Sequence, residues 1–223
     1  MDVQLLKQAL IKVIAGIVLV ALLLFLPAGS LHYANAWLLM AVLFIPMVIA
    51  GFVMFFKAPD LLRRRLNAKE KQAGQRGVIG LSGLMFIAAF VLAGLGFRFG
   101  WRMLPMPVCC TAAVLFLAGY ALFAEVLREN EYLSRTVEVQ EGQRVVDTGL
   151  YGLVRHPMYL ATVLMFLMMP LILGSVYSFF VMLLYLPLIA ARIRGEEELL
   201  VKELPGYSEY RQKVKYRLIP HVW

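Results

Sequence analysis

Charged residues are scarce in this chain: only 16% of its 223 residues are Asp, Glu, Lys or Arg, whereas 61% are hydrophobic. An ordinary globular domain has roughly 45–50% apolar residues, so this composition excludes a typical soluble domain and favours a polytopic membrane protein. The net charge is +8, but no separate basic domain accompanies it, and we therefore expect no nucleic-acid partner.

Cysteine is nearly absent, and the two that occur, Cys109 and Cys110, are adjacent within an apolar run. Neighbouring cysteines rarely form a disulfide, and no His/Cys spacing is typical of a zinc site, so we expect buried thiols and no metal. Signatures of two large enzyme classes are also missing. The glycines of segment 94–100 have the spacing G-x-G-x-x-x-G with no preceding strand, which excludes the dinucleotide fingerprint, and no nucleophile elbow occurs.

Long apolar runs are what the sequence has instead. A helix needs about 20 residues to cross a hydrocarbon layer of roughly 30 Å, and six runs approach this length. They cover residues 11–27, 37–56, 78–97, 107–127, 158–174 and 177–191. We predict an all-α polytopic membrane helix bundle with about six transmembrane helices. Only Gly174-Ser175-Val176 separates the last two runs, which predicts a tight antiparallel hairpin.

Basic residues indicate the orientation of the bundle. Every Lys and Arg except Arg98 and Arg102 falls in the N-terminal segment, in the loops 57–77 and 128–156, or in the tail 192–223. Six spans put all of these segments on one side of the membrane. The positive-inside rule makes that side cytoplasmic, with both termini inside.

The chain divides at the end of the fourth run. Residues 1–127 are predicted to form an N-terminal membrane region of four helices. Residues 128–223 contain a loop, the helical hairpin and an amphipathic tail, and we expect both regions to form one integrated domain. Within the first basic loop, residues 61–76 have the pattern of an interfacial helix that contacts anionic lipid.

A polar motif, Arg155-His156-Pro157, interrupts the apolar pattern. Proline favours the first turn of a helix, so Pro157 is predicted to begin the fifth helix, with Arg155 and His156 at its N-terminal cap. Unpaired N–H groups and the helix dipole attract an anion at such a position. The motif therefore indicates either a cytoplasmic binding site for a carboxylate or phosphate, or an interfacial anchor in which Arg155 reaches the lipid headgroups.

A second polar cluster, with Arg192, Glu196 and Glu197, directly follows the sixth run. Arg192 and Glu196 are four residues apart and share one helix face. Because the last two runs form a hairpin, the end of the sixth helix is expected beside the start of the fifth. The combined set suits a zwitterionic ligand, with its carboxylate near His156 and its ammonium group or ribose hydroxyls near Glu196. Tyr151 either stacks on a purine there or lies in the membrane interface.

Taken in order, these motifs resemble the isoprenylcysteine carboxyl methyltransferase family, which belongs to a wider group of membrane methyltransferases that includes phospholipid methyltransferases. The resemblance rests on Gly-x-Tyr-x-x-x-Arg-His-Pro-x-Tyr at 149–159, the hairpin, Arg-x-x-x-Glu-Glu-x-x-Leu at 192–200 and Pro-Gly-Tyr-x-Glu-Tyr at 205–210. It covers about residues 128–220. It implies an integral-membrane enzyme that uses S-adenosylmethionine without a Rossmann domain.

The resemblance also implies which residues bind this cofactor. They are Gln143, Val145, Val146, Tyr151, His156, Pro157, Met158, Tyr159 and Glu196. Arg192 matches the position that faces the methyl acceptor. Gln143 departs from the family pattern, because the eukaryotic enzymes have a histidine at that point.

The implied chemistry is methyl transfer to a lipidic or prenylated acceptor that enters from the bilayer. If the acceptor is a carboxylate, Arg192 orients it and no base is required. If the acceptor is an amine, a base is needed, and Glu197 is the candidate. Two other classes stay open: an NADPH-dependent membrane reductase of related architecture, and a non-enzymatic transporter or scaffold. The sequence has no midplane charge or broken-helix pair typical of a transport pathway.

Overall fold

A computed structural model describes residues 2–67, 73–134 and 136–223 of the protein, apart from the side chains of residues 73 and 74. Within these ranges the chain forms helices and no β-strand, which confirms the all-α prediction. The α-helices are α1 (Val3–Ala28), α2 (Ala34–Lys57), α3 (Pro59–Leu66), α4 (Ala73–Arg98), α5 (Met106–Glu129), α6 (Pro157–Ile172), α7 (Val176–Met182), α8 (Tyr185–Glu203) and α9 (Tyr207–Lys213). A short 3₁₀ helix, Gly149–Gly152, precedes α6.

Within the described ranges, five helical segments are long and apolar enough to cross a membrane. They are α1, α2, α4, α5 and the segment Val176–Glu203, which contains α7 and α8. The remaining predicted span, α6, has 16 residues, fewer than the roughly 20 needed for a perpendicular crossing. The protein is thus an integral membrane helix bundle, as its composition predicted.

The last predicted span differs from the prediction at its polar end. The sequence predicts one helix over 177–191, with Arg192 and Glu196 after it, whereas the chain forms two helices here and the second, α8, continues to Glu203. Arg, Glu and Leu are strong helix formers and dominate the polar half of α8, so the helix does not end with the apolar run. Arg192, Glu196 and Glu197 therefore project from a continuous helix rather than from a flexible end.

The predicted basic helix over 61–76 is described only in part, because residues 68–72 lie outside the described residues. α3 covers its first portion. Arg64 and Arg65 donate hydrogen bonds to backbone oxygens of the loop that follows α5, at 2.7 Å and 3.4 Å. α3 therefore supports this loop as well as presenting positive charge.

The main core lies among α1, α2, α4, α5 and α6, with side chains such as Leu24, Phe116 and Ile172 removed from solvent. α4 packs against α1 at Gly94, where a Cβ atom would lie 2.6 Å from the backbone oxygen of Leu24. Only glycine permits so close an approach. The glycine-rich segment 94–100, which failed as a nucleotide-binding motif, thus contains a helix-packing position.

The turn between α6 and α7 is fixed at the end of the bundle opposite to the polar motifs. Tyr33 donates its hydroxyl hydrogen to the backbone oxygen of Leu173 at 2.5 Å, and Asn35 Nδ2 donates to that of Ile172 at 2.9 Å. These contacts anchor the predicted hairpin to the connection between α1 and α2. At the other end, the start of α6 and the polar half of α8 lie side by side, as predicted.

Candidate active site

A polar cleft lies at the end of the bundle where α6 begins. The loop after α5, the first turn of α6, the polar half of α8 and α9 surround about 830 Å³ of space, including the open mouth. The predicted site residues that line this cleft are Gln143, Val145, Val146, Tyr151, His156, Met158, Tyr159, Arg192 and Glu196. The fold therefore brings together residues from the loop and from both arms of the hairpin.

Two predicted site residues are not part of this lining. Pro157 is the first residue of α6, as predicted, and it is fully buried. Glu197 is also buried, with 4% of its side chain exposed. Pro157 affects the cleft by fixing where α6 begins, and Glu197 affects it through its ion pairs.

The Glu197 carboxylate is bonded to two arginine side chains and one histidine side chain. Its Oε1 accepts hydrogen bonds from Arg155 Nε at 2.7 Å and His156 Nε2 at 3.3 Å. Its Oε2 accepts from Arg217 Nε at 2.9 Å. A general base must reach the proton that it removes, and this carboxylate instead faces inward to its ion-pair partners. In this geometry the Glu197 carboxylate is engaged by its ion-pair partners and does not line the cleft.

A hydrogen-bonded series of side chains links α4, α6 and α8 at the cleft wall. The Tyr159 hydroxyl donates to Glu196 Oε2 and accepts from Arg192 Nε at 3.1 Å. Arg192 Nη1 donates to Gln75 Oε1 at 3.2 Å, and Gln75 Nε2 donates to the Arg192 backbone oxygen at 3.3 Å. These bonds fix the directions of Arg192 and Glu196. Gln75 was missed in the sequence because nothing distinguishes it from the other polar residues of the loop predicted over 57–77, whereas the structure places it in the first turn of α4.

Tyr151 is held from two sides within the protein. Asn130 Nδ2 donates to its hydroxyl oxygen at 3.0 Å, and the Tyr210 hydroxyl donates to its backbone oxygen at 2.7 Å. The 3₁₀ helix that carries it is capped by the Glu129 carboxylate, which accepts from the Leu150 backbone N–H at 2.9 Å. Tyr151 is buried, so of the two sequence-based alternatives the structure favours a residue of the cleft over one of the lipid interface.

The loop residues Gln143, Val145 and Val146 form one wall of the cleft. Gln143 Oε1 accepts a hydrogen bond from the backbone N–H of Gln140 at 2.9 Å, which closes a turn of this loop. Val145 packs against the hydrophobic cluster around α9, and Val146 packs against the cluster that contains Tyr151. The two valines therefore give this wall an apolar surface.

Tyr207 is a cleft residue to which the sequence assigned no role. It lines the cleft from α9 with only 4% of its surface exposed, and its hydroxyl has no hydrogen-bond partner in the part of the chain that the structure describes. Burial raises the pKa of this phenol, so it is a neutral donor at pH 7. Buried polar groups nearly always have a partner, so this hydroxyl is available to a polar atom within the cleft. The motif at 205–210 includes Tyr207, but the sequence alone does not show whether the Tyr207 hydroxyl has a hydrogen-bond partner.

An apolar chamber adjoins the polar cleft between α4, α5, α6 and α8 and contains about 1160 Å³ of empty space, part of which is open to the outside of the bundle. Its walls include Val78, Ile79, Phe86, Phe123, Phe166, Leu188 and Ile189. Among the described residues of its lining, Arg65 and Arg192 carry charge. Both cavities are lined by Ser134, Thr136, Met158, Tyr159 and Arg192. The polar and the apolar space therefore meet beside Tyr159 and Arg192.

Comparison with known proteins shows that the sequence is similar to two groups of enzymes. In an alignment 134 residues long that covers 54% of this chain, the sequence is 27% identical to the delta(14)-sterol reductase of Mus musculus. The aligned part covers 32% of that reductase, so this chain spans only about a third of the relative. Residues 108–202 match the family model of the isoprenylcysteine carboxyl methyltransferase (ICMT) family. The matched segment contains most of α5, the hairpin and most of α8. It confirms, over these residues, the resemblance to the isoprenylcysteine carboxyl methyltransferase family that the motifs predicted.

Proposed function

We propose that this protein is an integral-membrane methyltransferase that uses S-adenosylmethionine to methylate the carboxylate of a lipidic or prenylated acceptor. The observation that carries the proposal is the meeting of a polar cleft and an apolar chamber at Tyr159 and Arg192. A polar donor and an apolar acceptor each need their own compartment. Transfer between them requires one shared point.

The residues of the polar cleft fit S-adenosylmethionine. Its methionine end is a zwitterion, and Glu196 offers a carboxylate for the ammonium group, while the unpartnered Tyr207 hydroxyl offers a buried donor. Tyr151 gives an aromatic wall for the purine, and His156, Pro157, Met158 and Tyr159 form the first turn of α6 beside it. Gln143, Val145 and Val146 close the opposite side. When bound, the cofactor supplies an electrophilic methyl group on a sulfonium.

The acceptor is proposed to lie in the apolar chamber with its head at the shared point. Lipidic chains match walls such as Phe86 and Phe166. Arg192 and Arg65 provide positive charge at the chamber lining, which suits a carboxylate head. A carboxylate needs no base, so the inward-facing ion pairs of Glu197 do not obstruct this reaction, whereas an amine acceptor would need the base that Glu197 does not provide here.

The cleft lies at the end of the bundle that carries most of the Lys and Arg residues of the sequence. By the positive-inside rule, we propose that the cleft and both termini face the cytoplasm. The chamber would then open to the acceptor from the bilayer at the cytoplasmic half of α4 and α5.

A second candidate is a membrane reductase that uses NADPH. The similarity to the mouse sterol reductase favours it, and the aligned portion of this chain includes about half of its residues. The two candidates differ in the cofactor that the polar cleft binds.

Isothermal titration calorimetry on the full chain in lipid nanodiscs tests the proposal, with S-adenosylmethionine and NADPH titrated separately. We expect heat of binding from S-adenosylmethionine and its loss in His156→Ala and Glu196→Ala. Glu198→Ala, an exposed neighbour on α8 outside the cleft, should bind like the wild type. Binding of NADPH alone would replace the proposal with the reductase, and binding of neither cofactor would overturn both.

The acceptor is tested with a farnesylated cysteine derivative and its amide in the same nanodiscs. We expect methyl transfer to the acid and none to the amide, because the amide lacks the charge that Arg192 and Arg65 would hold. Equal labelling of both compounds would contradict the carboxylate assignment.

A further inference from the structure

The segment after α9, residues 214–218, lies against the start of α6. The backbone N–H groups of Arg155 and His156 donate to the backbone oxygens of Tyr216 and Arg217, each at 2.9 Å. Arg155 Nη1 also donates to the backbone oxygens of residues 214 and 215, at 2.7 Å and 2.8 Å. The polar motif ahead of α6 is therefore bonded to the tail through both its backbone and its side chain.

Glu197, which lies on α8, contacts both the motif ahead of α6 and the tail segment. One of its oxygens accepts from Arg155 and His156, and the other accepts from Arg217 of the tail. Because an ionised carboxylate can only accept, the His156 ring donates through Nε2, and this contact sets the orientation of the ring. His156 lines the cleft, and the placement of its ring depends on Glu197.

The tail is itself an ordered structure. The Trp223 backbone oxygen accepts from the N–H groups of Arg217, Leu218 and Ile219 at 2.9–3.1 Å. The Arg217 guanidinium lies 5.3 Å from the centre of the Trp223 ring. Leu218 is buried in the cluster that contains Tyr159 and residues of α8. Arg217 is thus held in place from one side while it reaches Glu197 on the other.

We infer that Glu197 and Arg217 are positioning residues of the cofactor site, and that the tail segment 214–218 sets the placement of His156 and the first turn of α6. Neither carboxylate nor guanidinium is assigned to the reacting groups; they act through His156. The inference rests on the proposed binding of S-adenosylmethionine in the cleft. It extends the site beyond the hairpin, to a segment outside the matched residues 108–202.

The test uses Arg217→Ala in the full chain in lipid nanodiscs, with Arg211→Ala as the matched control. Arg211 is an exposed arginine that lines the same outer depression as Arg217, and within the described residues it has no ion-pair partner. We expect Arg217→Ala to weaken the affinity for S-adenosylmethionine about tenfold, since a hydrogen bond to a charged group is lost. Arg217→Lys should recover most of this loss, and Arg211→Ala should bind like the wild type.

Kinetics separate a positioning role from a merely structural one. We expect a higher KM for S-adenosylmethionine with a smaller change in kcat, measured well below the unfolding temperature of each variant. If Arg217→Ala cannot be obtained folded, Arg217→Gln, which keeps a donor but removes the charge, provides the same comparison.

The possible failures are distinguishable. If the wild type does not bind S-adenosylmethionine, the proposed function fails and this inference fails with it. If the wild type binds and Arg217→Ala binds equally well, only the positioning role is overturned. Equal losses in Arg217→Ala and Arg217→Lys would also overturn it, because the charge at this position would then not matter.

Discussion

Two tyrosines of α9 allow a prediction in which the same substitution has opposite effects on stability. Tyr207 and Tyr210 are both buried, and their ring centres lie 5.6 Å apart. The Tyr210 hydroxyl donates to the backbone oxygen of Tyr151 at 2.7 Å. The Tyr207 hydroxyl has no partner within the described residues. Replacement by phenylalanine removes one oxygen atom in each case and little else.

The magnitudes follow from the cost of burying a polar group. A buried group without a partner costs about 1–3 kcal/mol, so Tyr207→Phe should raise the unfolding free energy of the cofactor-free protein by about 1 kcal/mol. Tyr210→Phe loses a hydrogen bond and leaves the Tyr151 oxygen unpaired, and should lower that free energy by about 1–2 kcal/mol. For a chain of this size, 1 kcal/mol corresponds to roughly 2–4 °C in Tm.

Bound cofactor should reduce the gain in stability that Tyr207→Phe has over the wild type. If the Tyr207 hydroxyl donates to bound S-adenosylmethionine, its removal weakens binding by about tenfold. Tyr207→Phe would then be more stable than the wild type without cofactor and would gain less stability when cofactor is added.

Thermal unfolding of the purified variants in detergent, with and without S-adenosylmethionine, measures both effects. A cofactor-free Tm for Tyr207→Phe that falls as far as that of Tyr210→Phe would refute the claim that the Tyr207 hydroxyl lacks a partner. An unchanged affinity for S-adenosylmethionine would refute its role as a ligand donor.

Two further predictions use glycine pairs as matched controls. Gly83 lines the apolar chamber, Gly80 lies outside its lining, and a Cβ atom at either position would meet open space. Gly83→Leu should raise the KM for a lipidic acceptor without changing the cofactor affinity measured by calorimetry. An equal rise in KM for Gly80→Leu would contradict the chamber assignment. Gly149 has a positive φ of 54°, and a Cβ atom there would overlap the Glu129 carboxylate that caps the 3₁₀ helix. Gly149→Ala should lower the unfolding free energy by about 2 kcal/mol or more, which would appear as a lower Tm and weaker cofactor binding. Gly142→Ala is the control, because Gly142 has a φ of 73° and no such neighbour, so this variant has the backbone strain alone. Equal losses of Tm in the two variants would exclude the capping contact as the cause.

The membrane architecture could be predicted from the sequence because it depends on composition and length. Runs such as 37–56 and 107–127 contain almost no polar side chain, and the bilayer demands helices of that length. The helical hairpin could also be predicted from the sequence, because only the three residues Gly174-Ser175-Val176 separate the last two apolar runs. Helix ends were less predictable: α8 continues through Arg192 because helix propensity, not hydrophobicity, decides where it stops.

The sequence by itself determined that the two polar motifs of the hairpin meet, and the tertiary structure decided which partners each of their side chains contacts. Motif order and the hairpin placed His156, Glu196 and Arg192 at one end of the bundle, because chain connectivity allows few alternatives. The adjacent Glu196 and Glu197 look equivalent in the sequence, but successive residues of a helix point about 100° apart. One carboxylate therefore faces the cleft and Tyr159, and the other faces Arg155 and a tail twenty residues later in the chain, which only the packed structure could bring to it.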